Sequence, residues 1–96
     1  MIVWTLLTGR TGDDIYTKGA ATLFVDPLHG DCEERVLTAS DGRLTDQAGR
    51  EVEPDALPEP NFIVFRTNGL IGFVATLKAR FGGRPVTIYM GMPYRA

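Results

Sequence analysis

The most reactive side chains of this sequence gather between Asp26 and Glu34. His29 and Cys32 stand three apart, with Asp26, Asp31, Glu33 and Glu34 around them. A thiolate beside an imidazole can attack an electrophile or bind zinc. A structural zinc site takes four ligands, and a chain with one cysteine and one histidine would need carboxylates to complete the set. Residues 27–31 therefore read as a turn, with Cys32 packed beneath it as a small apolar side chain. No catalytic residue, metal or cofactor is expected. Asp13 and Asp14 have no acidic partner at the spacing that paired carboxylate chemistry needs, and read as a solvated loop.

Thr67-Asn68-Gly69 follows an apolar run and precedes a helical pattern. A strand feeding a helix N-terminus presents free N–H groups and a partial positive charge, which suits a phosphate or carboxylate. No phosphate-loop glycine spacing accompanies it, so ordinary helix capping is the competing account. Tyr16, Met92, Tyr94 and Arg95 are residue types that anchor protein interfaces, and they form the expected protein-binding set. Arg66, Lys78, Arg80 and Arg84 would serve nucleic acid if they shared one face. Arg80 and Arg84 also complement a helix C-terminus.

The elements that must hold these residues follow from apolar patterning. Residues 2–8 and 62–65 are short runs apolar on both faces, the mark of interior strands. Leu70, Phe73, Val74, Leu77 and Phe81 recur at helical spacing and predict a helix over about 69–82, stopped by Gly82-Gly83. Gly69 and Gly72 weaken its first turn or mark a close approach to a sheet. Residues 86–90 return to strand, with Val86, Ile88 and Met90 on one face and Thr87 and Tyr89 on the other. A further strand is expected over 20–25, ended by Asp26-Pro27.

Residues 32–39 read equally as strand or as a turn or two of helix. Asp41-Gly42 is a two-residue hairpin signal, and Asp46-Gln47-Ala48-Gly49 is a second turn before a short returning strand over 51–53. Residues 54–60 hold three prolines and read as a semi-stiff crossover to the central strand. The expected fold is α+β: a mainly antiparallel sheet of four to six strands, one helix on a face, and a C-terminal β-α-β unit. Strands 2–8, 62–65 and 86–90 should supply its centre.

Ninety-six residues bound this to a single domain over 1–96. At 44% hydrophobic and 23% charged residues it is too apolar for disorder. A formal charge of −2 supplies no broad footprint for nucleic acid. The lone Cys32 excludes an internal disulfide and fits a reducing cytoplasm. The apolar start ends at Thr8-Gly9-Arg10, too short for a membrane span, so no membrane partner is expected. With few reactive groups together, the expected function is a non-catalytic protein–protein interaction module: an accessory, immunity-like or inhibitor protein, of the kind a bacterial or phage mobile element carries. Self-association through a sheet edge would fit as well. The alternative is a small-ligand or anion-binding domain, or minimal enzyme, with a site between Thr67–Gly69 and the segment from His29 to Glu34. Nucleic-acid binding stands third.

Overall fold

Ile2, Trp4 and Leu6 alternate with Val3, Thr5 and Leu7 along the first strand, and both rows need cover. The computed structural model, which describes residues 1–8, 33–66 and 68–89, supplies strand neighbours on both sides of that strand. β1 (Ile2–Leu7) lies between β2 (Glu33–Ser40) and β5 (Phe62–Phe65), parallel to both. β3 (Arg43–Thr45), β4 (Glu51–Val52) and β6 (Val86–Tyr89) complete a six-stranded sheet in the order β4-β3-β2-β1-β5-β6. β6 pairs parallel with β5, while β3 pairs antiparallel with β2 and β4.

The α+β class therefore holds, but the antiparallel emphasis does not. Four neighbouring strands, β2-β1-β5-β6, are parallel, and antiparallel pairing is confined to the β2-β3-β4 arm. The cause lies in the continuous apolar runs of β1 and β5, which suit parallel strands covered on both faces. β6 is not central either: among the described strands it is an edge, and Val86 is 52% exposed.

The one described α-helix, α1 (Ile71–Arg80), belongs to the β5-α1-β6 unit. Leu70, Val74, Leu77 and Phe81 pack with Trp4, Leu6, Leu37, Ile63 and Phe65 into the main core. Val3 and Val64 are buried on the other face, with Phe62 and Ile88 against them. A 3-10 turn, Asn68–Leu70, precedes α1, and Leu70 occupies the N-cap without a side-chain bond. The extra turn places the start of the α-helix at Ile71 rather than at about 69; Thr67 lies outside the described residues. The helix ends as its two glycines require. Gly82 (φ 68°) and Gly83 (φ 76°) are left-handed, and their N–H groups donate to Ala79 and Lys78 carbonyls, a Schellman closure. Gly72 has nothing within 4 Å of an added Cβ, so it marks no close approach to the sheet.

Asp41 (φ 53°) and Gly42 (φ 75°) form the two-residue hairpin between β2 and β3, both in the left-handed region that this turn demands. The proline-rich connector contains a 3-10 turn, Pro54–Ala56, and delivers the chain from β4 to β5. Leu57 packs against the main core on the way. Asn61 then ties three strands at their amino ends: its Oδ1 accepts the Ile2 N–H, its N–H donates to the Ile2 carbonyl, and its carbonyl accepts from Val86. The strand expected over 20–25 lies outside the described residues. Among those residues no helix is long and apolar enough to cross a membrane.

Candidate functional site

β2 has eight residues and β3 only three, and that mismatch shapes a notch at the sheet's surface. β3 pairs with Thr38, Ala39 and Ser40 and then leaves the sheet. Asp46 turns it away. Its N–H donates to the Arg50 carbonyl at 2.8 Å, and its carboxylate accepts the N–H groups of Ala48 and Arg50, each at 2.9 Å. Those bonds, the Arg50 N–H foremost, with the Arg50 guanidinium adding its charge, hold the Asp46 carboxyl below its ordinary pKa. Beyond the turn, no described strand pairs with β2 on that side, and the notch, of about 320 Å³, opens against Glu34, Arg35, Val36 and Leu37. Val52 and Leu57 supply apolar lining, and Asp46, Gln47, Ala48 and Arg50 form the far wall.

The ladder decides which backbone groups face the notch. Glu33 donates its N–H to the Met1 carbonyl, so odd-numbered residues of β2 bond to β1. Thr38, on the other parity, faces β3, and its carbonyl accepts from the Thr45 hydroxyl. Glu34 and Val36 therefore turn two N–H and two C=O groups into the notch, with no partner strand among the described residues.

The side chains are sorted by the same alternation. Arg35 and Leu37 share the helix side, and Glu34 and Val36 the opposite side. Arg35 is occupied by Glu33, at 2.7 Å from Nε and 2.6 Å from Nη2. Glu34 accepts the hydroxyl of the fully buried Thr5 at 2.6 Å and has no cation partner among the described residues.

The residues singled out from sequence fall unevenly around this site. Tyr16, Met92, Tyr94 and Arg95 lie outside the described residues, as do His29, Cys32 and Thr67. Glu33 and Glu34 sit at the amino ends of the parallel strands, opposite Ile2 and Val3. Asn68 and Gly69 follow β5 and lie beyond the carboxyl ends. The two edges of the expected ligand pocket are thus at opposite ends of the sheet, as far as the described residues define them. No group of three His, Cys, Asp or Glu able to hold a metal ion occurs among the described residues.

The four cations named for nucleic acid are likewise divided. Arg66 follows the carboxyl end of β5, whereas Arg84 precedes the amino end of β6. Arg80 holds Asp55 through two bonds at 3.0 and 3.1 Å, and Arg84 holds Glu59 at 2.9 and 2.7 Å. Each fork raises its arginine's pKa and holds its acid below the ordinary carboxylate range, the paired side-chain hydrogen bond being the main cause. Arg80 straps the connector to the end of α1, and Arg84 straps it to the turn before β6.

Sequence reasoning missed Glu34 and Val36 as members of a backbone site. The signals were present separately, as a turn at Asp46 and an undecided segment at 32–39. No family model, curated protein or solved structure matches this chain.

Proposed function

We propose that this chain is a non-catalytic protein–protein interaction module, working as an accessory, immunity-like or inhibitor protein by occupying another protein's surface. The observation that carries this reading is the half-covered edge of β2. Open sheet edges template pairing with another chain, and native proteins blunt those that must stay alone. The β4 edge is blunted: it is two residues long and carries Glu51, paired with Arg43 at 3.7 Å. The β2 edge keeps two N–H and two C=O groups with no partner strand among the described residues, and an apolar-lined notch lies beside them. Affinity capture from the native host, combined with light scattering on the purified chain, tests the proposal. A stoichiometric protein partner or a defined oligomer is the expected result. A chain that stays monomeric and captures nothing stoichiometric overturns it.

A second reading is a small-anion site. The strand order reverses between β1 and β5, and ligands of open α/β sheets collect beyond the carboxyl ends at such a reversal. The Asn68–Leu70 turn lies there. Thermal stabilisation by phosphate, nucleotides or small carboxylates would favour it, and a flat response across such a panel would remove it.

A further inference from the structure

We propose that the notch beside β2 takes one extended segment of a partner protein as an added antiparallel strand, with a lysine or arginine of that segment opposite Glu34. This deepens the interaction-module reading and rests on it.

The direction follows from β3. Thr45 faces Thr38 in an antiparallel ladder that stops at the Asp46 turn. A segment entering the notch lies on the line that β3 abandons and continues the ladder past Val36 to Glu34. Residues facing Val36 and Glu34 form hydrogen-bonded pairs and exchange both N–H···O bonds, which satisfies all four exposed backbone groups. The residue between them faces Arg35 on the helix side, where Leu37 and Leu57 line the notch. It is apolar. The residue facing Val36 is β-branched or apolar, since directly opposed side chains on one face pack against each other.

The cation follows from charge. Arg35 and Arg50 are each neutralised locally, by Glu33 and Asp46. Among the described residues Glu34 has only the Thr5 hydroxyl. A positive side chain directly across the ladder completes it, and an acidic one is repelled.

The same arithmetic disfavours a second copy of this chain as the occupant. A two-fold pairing of β2 edges that matches Glu34 with Val36 of the partner must place Arg35 opposite itself, crowding two guanidinium groups into the closest cross-strand position, and offers Glu34 no cation.

The test titrates the isotope-labelled full chain with the peptide acetyl-Thr-Val-Leu-Lys-Thr-amide, following backbone amide resonances. Two control peptides replace the lysine by glutamate or N-methylate the Val and Lys amides. The expected result is saturable movement of the Glu34 and Val36 amides. The glutamate peptide should bind about fivefold more weakly, and the methylated peptide should not bind detectably. Glu34→Lys should reverse the charge preference. Val36→Pro should abolish binding while keeping the fold, because the lost N–H faces the notch and not β1. Unmoved Glu34 and Val36 amides, equal affinity for the lysine and glutamate peptides, or dimerisation through this edge each overturn the proposal. A natural partner whose contacts lie away from β2 also overturns it, yet leaves the interaction-module reading standing.

Discussion

Trp4 gives the sharpest stability prediction, because its indole is fully buried and its Nε1 has no hydrogen-bond partner among the described residues. The perturbation is Trp4→Phe. It keeps an aromatic ring against Phe81, which now meets the indole edge-on at 5.4 Å and 83°. Losing the second ring of the indole removes a few buried carbons, a cost of about 2 kcal/mol at roughly 0.8 kcal/mol per buried methylene equivalent. Removing an orphaned buried donor returns about 1–3 kcal/mol of desolvation penalty. The two offset, and the net change should fall within about 1 kcal/mol in either direction. Had the N–H held a buried acceptor, the substitution would strand that acceptor as well, and the total loss would reach about 3 kcal/mol or more. For a domain of this size each kcal/mol moves Tm by about 4–8 °C, so the two cases separate clearly. Urea and thermal unfolding should be followed by circular dichroism, since the variant lacks the chain's only tryptophan. A destabilisation of about 3 kcal/mol with an unchanged m-value would refute the reasoning.

The other predictions concern the helix and the connector. Leu77→Ala empties a site 2% exposed, between α1 and the sheet, and should cost about 2–5 kcal/mol in urea unfolding. Gly72→Ala should stabilise by about 0.5–1 kcal/mol in the same assay, because an added methyl meets open space and helix propensity improves. Acid titration of stability should show the depressed carboxyls of Asp46, Asp55 and Glu59. A group whose folded pKa lies below its unfolded value stabilises above the unfolded value and loses that contribution as pH falls through the folded one. Stability should therefore decline from about pH 4 downwards, and Asp55→Asn with Glu59→Gln should flatten that decline. Because both forks are exposed, added salt should flatten it too.

Several elements were legible in the sequence because their determinants are local. Asp41-Gly42 specifies its turn by tolerating two left-handed residues, and Gly82-Gly83 ends α1 for the same reason. The spacing of Leu70, Val74, Leu77 and Phe81 declared the helix face, although Phe73 is only partly buried. Strand direction was not legible. Parallel pairing of β1 with β2 and β5 is a non-local choice, and an apolar run signals cover on two faces without naming the neighbour.

Edge and centre were confused for the same reason. The Val86-Thr87-Ile88-Tyr89 run resembles an interior strand, but Val86 and Tyr89 are 52% and 46% exposed at the border of the described strands. The notch was hidden because it is a difference between two lengths. The turn at Asp46 was foreseen, but its consequence depends on β2 extending back to Glu33, where Glu33-Glu34-Arg35 breaks the apolar alternation. The candidate site is made largely of main-chain groups, and main-chain availability has no side-chain signature.

The central claim is that β2 is open along Glu34–Val36, and residue-resolved amide hydrogen exchange on the free protein tests it most directly. Arg35 and Leu37, bonded to β1, should exchange slowly, while Glu34 and Val36 exchange near the rate of an exposed turn. Uniform protection across all four amides would contradict the account.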